Sequence, residues 1–181
     1  MKKLMLVVFM LCLLAIPAMG QTIDSPVTTT WEELEESFIE TGYGADFYNI
    51  NDFGFRILIP NGLEPVELSD EQIKNGFIVD FANEDHSAAV IVVYRDLQCE
   101  SLEELADYIA ENLGEDKIAG YYRMNGLDGL VFVNPENEEL FCALKATEGG
   151  YFVQVSIQPT SNEELNKLSG FIFGSIQKIE E

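Results

Sequence analysis

Ile118-Ala119-Gly120-Tyr121-Tyr122-Arg123-Met124-Asn125-Gly126-Leu127-Asp128-Gly129-Leu130-Val131-Phe132-Val133 decides how this chain folds. Asn-Gly between two runs rich in aromatic and β-branched residues is a hairpin signal, because both turn residues tolerate the left-handed backbone that a tight turn needs. The stretch predicts strands over 118–124 and 128–133. Leu130-Val131-Phe132-Val133 shows no alternation, and neither does Val90-Ile91-Val92-Val93. Strands of that kind are covered on both faces. Residues 153–157 instead alternate Val, Gln, Val, Ser, Ile and are expected to show one face to water.

Working outward, strands are expected at 140–147 and 151–158, separated by Asn134-Pro135-Glu136-Asn137 and Glu148-Gly149-Gly150. Upstream, 46–50 and 54–59 flank Asn51-Asp52, and 77–82 and 88–95 flank Asn83-Glu84-Asp85-His86. Hairpin-length links require antiparallel pairing. Three amphipathic helices surround these strands. Thr30 can cap one with Trp31, Leu34, Phe38 and Ile39 on a single face. Ser101 and Glu104 form a capping box ahead of Leu102, Leu105, Ala106, Ile109 and Leu113, with Gly114 placed to end that helix. Ser161 with Glu164 reads as a second box, opening a helix that buries Leu165, Leu168, Ile172, Ile176 and Ile179. Within 64–75, Ser69-Asp70-Glu71-Gln72 can open one helical turn. The class is α+β, a mainly antiparallel meandering β-sheet with helices packed on it.

The N-terminus reads as an address. Lys2 and Lys3 precede the apolar run Leu4 to Ile16, Pro17 breaks it, and Ala18-Met19-Gly20 supplies a small-residue cleavage site. That is the signal-peptide pattern, and the run is shorter than the ~20 residues a membrane span needs. Cys12 lies inside the run, behind Met10-Leu11, where lipid attachment does not fit. The expected organisation is a signal peptide over 1–20, a flexible tail over 21–29 and a single α+β domain over 30–181. The product is expected to be exported: secreted, periplasmic or cell-envelope associated, with no integral membrane segment after cleavage.

Ten bases against 32 acids give a formal charge of −22, which nucleic-acid backbones and anionic membranes would repel. Cleavage removes two lysines and one cysteine, leaving Cys99 and Cys142. An even count in an oxidising compartment permits a Cys99–Cys142 bridge if the two are spatial neighbours; buried free thiols are the alternative. With His86 as the sole histidine, the chain lacks the four ligands of a structural zinc site.

Little catalytic chemistry is visible. His86 lies in a turn beside Asp85 and Ser87, but contiguity does not make a triad. No Gly-x-Ser-x-Gly elbow or phosphate-cradling glycine loop occurs, so no catalytic residue is assigned. No cofactor or metal ligand set is expected, although Asn83-Glu84-Asp85 and Asn134 to Glu139 offer oxygen atoms that leave calcium open. Trp31, Tyr43, Tyr48, Tyr121 and Tyr122 are the candidate partner-binding residues, since aromatics are enriched at interfaces. The expected function is a non-catalytic accessory or binding protein with a protein or small ligand as partner. The alternatives are a small extracellular hydrolase using a carboxylate pair and a surface-associated structural protein.

Phe53-Gly54-Phe55-Arg56-Ile57-Leu58-Ile59-Pro60-Asn61-Gly62 resembles the opening strand and proline turn of PsbP-like domains, the fold of the photosystem II extrinsic P subunit and of many small exported bacterial proteins. The helix at 101–105, the turn Asn125-Gly126-Leu127-Asp128-Gly129 and the closing Gly174-Ser175-Ile176 are similar to that family too. The resemblance covers 46–179 and implies an α-β-α sandwich used for binding, as an accessory or chaperone-like module. It carries over no catalytic residue.

Overall fold

A computed structural model describes residues 26–145 and 150–179. The signal-peptide reading of 1–20 and the first part of the tail lie outside the described residues.

The Asn-Gly hairpin forms as expected: β7 (Ile118–Met124) and β8 (Leu127–Asn134) pair antiparallel, with Met124 opposite Leu127. β9 (Glu139–Lys145) and β10 (Tyr151–Gln158) extend the meander. β10 then pairs antiparallel with β6 (Ala89–Asp96), which pairs with β5 (Phe77–Ala82), which pairs with the short β4 (Glu64–Pro65). The opposite edge is closed by β1 (Val27–Thr29), running parallel to β7. The eight-stranded order is β1-β7-β8-β9-β10-β6-β5-β4. Part of the expected tail is therefore a strand: Val27-Thr28-Thr29 are β-branched residues that pair with Tyr122 to Met124.

The helices are α1 (Trp31–Thr41), α2 (Asp70–Lys74), α3 (Leu102–Asn112) and α4 (Glu163–Gly174). One face of the large sheet carries Val90, Val92, Val131, Cys142, Val155 and their neighbours, which join the cores of α1 and α4. On the other face Leu102, Leu105, Ala106 and Ile109 of α3 press on Leu130, Phe132, Phe141 and Phe152. Each leucine, isoleucine and phenylalanine among them contributes about 1.5–3 kcal/mol relative to exposure. Farther along that face, Ala82, Ala89, Ile91 and Val93 lie under Val66 and Phe77. The two strands without alternation are thus covered on both sides.

Four expectations need correction. The strands around Asn51-Asp52 do not extend the main sheet. β2 (Ala45–Ile50), β3 (Phe55–Pro60) and β11 (Gln177–Lys178) form a separate sheet of order β11-β3-β2, which joins the layer of α1 and α4. The 153–157 stretch is not half-solvated: Gln154 and Ser156 are only 4% and 3% exposed. Gln154 tolerates this because Arg95 Nε donates to its Oε1 at 2.8 Å. The cap of α4 is Asn162, whose Oδ1 accepts from Leu165 N at 3.0 Å; Ser161 instead donates to Glu138 at 2.8 Å. That helix ends at Gly174, so Ile176 is buried beyond it in the link to β11. Finally, Cys99 and Cys142 are both buried and free, because Cys99 packs on the α3 face and Cys142 on the opposite face of the sheet. Neither thiol is expected to react with a disulfide reagent until the chain unfolds. Burial raises both thiol pKa values, with Glu104 adding to the effect at Cys99. Timed thiol titration with and without denaturant checks this.

Ser175, immediately after α4, completes the small sheet. β11 pairs with β3 only at Arg56 and Phe55. Beyond it, Leu58 N donates to Ser175 Oγ at 2.8 Å, while that hydroxyl donates to Ile172 O at 2.7 Å.

Candidate functional site

A concavity forms where three chain reversals meet. The turn after β3 brings Pro60 to Leu63, held by Asn61 N donating to Gly44 O at 2.9 Å, with Gly62 at φ +91°. The β5–β6 turn brings Asn83 and Ala88, closed by Ala88 N donating to Asn83 Oδ1 at 2.9 Å. The start of α4 brings Asn162, Glu164, Leu165 and Leu168. The cleft has a volume of about 210 Å³, with Leu165, Leu168 and Ala88 as apolar floor and Asn61, Asn83 and Glu164 on its rim. Ordinary small-molecule pockets are larger, ~300–1,000 Å³. Outside its mouth, Glu84 and Asp85 border an open depression shared with Gly62 and Asn83.

In the β5–β6 turn, Asn83, Asp85 and Ser87 bond to one another. Asp85 Oδ1 accepts from Ser87 N at 3.1 Å and from Ser87 Oγ at 2.6 Å, which holds its carboxyl below the usual range. His86 is exposed at φ +55°, and the serine beside it is committed to Asp85. At the other acidic turn, Asn134 Oδ1 accepts from Glu136 N at 3.2 Å, and Glu139 accepts from Asn137 at 3.1 Å. Among the described residues, no three His, Cys, Asp or Glu side chains converge as a metal-ligand group.

Asp80 was not singled out in the sequence. Its neighbours Val79 and Phe81 point into the α4-side core, so its own side chain lies on the opposite face, across the sheet from the cleft. Burial raises its pKa, with His86 opposing, and its Oδ1 has no hydrogen-bond partner among the described residues. The folded chain therefore holds this proton more tightly than the unfolded chain. Stability falls as pH climbs from the ordinary carboxylate value near 3.8 through the raised one. Asp80→Asn is expected to raise the melting temperature at neutral pH, with the advantage fading below the carboxylate range, as thermal melts over a pH series will read.

The five candidate aromatics do not form one patch. Trp31 is buried, edge-on to Phe47 at 5.5 Å, and Tyr122 is buried in the same core, so both are packing residues. Tyr43 is half-buried against that core. Tyr121 is half-buried on the α3 face; its pKa is raised by burial and by Glu103 and Asp107. Tyr48 is 40% exposed and meets Phe81 edge-on at 4.8 Å. Sequence reasoning missed a different group. Tyr94 and Tyr151 stack at 5.1 Å with 21° between their planes, and Phe53 joins Tyr94 at 4.7 Å. Tyr151 is 42% exposed. Register was the missing signal, because Tyr94 and Tyr151 become neighbours only once β6 and β10 are paired.

The layers define an α+β sandwich with a three-stranded sheet set on one side. No helix among the described residues is long and apolar enough to cross a membrane. No protein-family model matches the chain, and no curated protein matches it. Among solved structures it is similar to the solution structure of cyanobacterial PsbP (CyanoP) from Synechocystis sp. PCC 6803, at 15% identity and a TM-score of 0.49, covering 74% of this chain and 92% of that one. It is also similar to a crystal structure from Bacteroides thetaiotaomicron VPI-5482, at 12% identity and a TM-score of 0.41. That match covers 71% of this chain and 46% of the other. Neither likeness brings a residue role to this chain.

Proposed function

We propose that the chain, once residues 1–20 are removed, is an exported accessory protein that binds a partner and carries out no chemistry of its own. One observation supports this above the hydrolase alternative. The cleft is small, its acids Glu84, Asp85 and Glu164 are exposed on or beside the rim, and the carboxyl raised by burial, Asp80, lies across the sheet. Paired acids that work on a substrate need burial or a like-charged neighbour to separate their pKa values. An apolar floor of this size suits an inserted side chain or a small group better than a sugar or a peptide bond held for cleavage.

The test uses residues 21–181 with a photo-crosslinking residue at Glu84, and a second protein with it at Glu111 on the outer face of α3. Each is exposed to culture fluid and cell envelope of the source cells, with and without calcium. A discrete adduct from Glu84 and none from Glu111 is the expected result. Equal labelling at both positions, or no adduct at any calcium level, would count against the reading.

A further inference from the structure

We propose that the row Phe53, Tyr94 and Tyr151 is a docking surface for an arginine-bearing basic segment of a partner protein. The three rings come from the 3-10 turn Asn51–Phe53, from β6 and from β10, and lie on one end of the same sheet face. Tyr151 is stacked on Tyr94 yet 42% exposed. The faces of such rings are electron-rich and attract cations. Two exposed carboxylates flank the row: Asp52 belongs to the same turn as Phe53, and Asp96 stands directly opposite Tyr151 in the β6–β10 register. Among nearby bases, Arg95 points to the other sheet face, where it donates to Gln154, and Lys178 sits opposite Phe55.

An apolar segment laid on these rings would desolvate the carboxylate of Asp52 and that of Asp96, whose Oδ1 accepts only from Gln98 N at 2.8 Å among the described residues, which is costly. A basic segment pairs with them, and the excess of 32 acids over 10 bases steers it toward the protein. Arginine fits better than lysine, because a planar guanidinium stacks on a ring while binding a carboxylate through two N–H groups. The chain already uses this contact internally, with Arg56 lying 4.6 Å from the Phe47 centroid.

The inference rests on the binding-protein reading but concerns a different surface from the cleft. Its test is calorimetric titration of residues 21–181 with Gly-Arg-Gly-Arg-Gly-Arg in about 150 mM salt, where diffuse attraction is largely screened. Lysine and citrulline versions of the peptide serve as comparisons. Tyr151→Ser is expected to weaken the arginine peptide roughly fivefold and Tyr151→Phe to restore it, because the ring face is what the cation meets. Asp96→Asn is expected to weaken it, Glu111→Gln to leave it unchanged, and the citrulline peptide to bind least. Indifference to Tyr151→Ser, equal loss with Glu111→Gln, or no binding of the arginine peptide overturns the proposal. If the peptide fails while Glu84 still captures a partner, this inference alone falls; if both fail, the binding reading falls with it.

Discussion

Asn125→Asp is expected to lower the melting temperature by roughly 6–12 °C, the shift that a loss of about 3 kcal/mol produces in a chain of this size. Asn125 sits at φ +49° in the β7–β8 turn, a conformation that asparagine tolerates. Its side chain ties together three distant parts of the chain. Oδ1 accepts from Trp31 N at 2.7 Å, and so caps the first amide of α1. Nδ2 donates to Gly174 O at 3.0 Å and Ile176 O at 2.7 Å, and so caps the end of α4. Its own backbone N–H donates to Thr29 O at 3.0 Å, closing β1 against the hairpin. Aspartate keeps the acceptor but turns a second oxygen toward two carbonyls. Asn125→Gly keeps the backbone freedom and loses all three side-chain bonds, so a larger loss for Asn125→Asp, which still accepts from Trp31 N, reads out the repulsion. Thermal and denaturant melts of both provide the measurement; a shift for Asn125→Asp no larger than that of an exposed surface substitution would refute the account.

The second large effect is expected at Gly76. Its φ of +84° disfavours any side chain, and a Cβ there would lie 2.1 Å from the carbonyl oxygen of Tyr94. The approach is close because Tyr94 N donates to Gly76 O at 2.7 Å, where the β5–β6 register shifts between Phe77 and Val79. A backbone atom cannot swing aside as the tip of a side chain can. Gly76→Ala is therefore expected to cost about 3 kcal/mol or more, by combining left-handed strain with a direct clash. Gly126→Ala supplies the comparison: φ there is +79°, with nothing within 4 Å of the added carbon. Urea unfolding of the pair separates strain from collision, and equal losses would mean that the clash relaxes at no cost.

Both residues show where the sequence was readable. Asn125-Gly126 declares a turn by its own chemistry, and Asn75-Gly76 declares the end of a helical turn. The capping serines at 69 and 101 were equally legible: Ser69 accepts from Gln72 N, and Ser101 from Glu104 N. What Asn125 reaches was hidden, since Trp31 and Gly174 lie 94 and 49 positions away. The same limit explains the misread strand. Alternation in 153–157 records which side chains are polar, not whether another layer covers them, and Gln154 is buried with a partner from β6. Candidate binding aromatics fared worst. A tyrosine looks the same on the page whether it fills a core, as Tyr122 does, or stacks at a surface, as Tyr151 does. Local residue chemistry announces turns and caps; assembly of the sheet decides which rings meet water.

The hydroxyl that substitutes for a missing stretch of β11 has a consequence for the fate of clipped molecules. A protease that removed Ser175 and everything after it would strip β3 of its cover from Phe55 to Leu58 and leave a row of bare amides. Such an open border recruits further chains, so trimmed protein is expected to self-associate while still carrying its large sheet. Ser175, Gln177 and Lys178 thus cover an edge of β3 that would otherwise stand open.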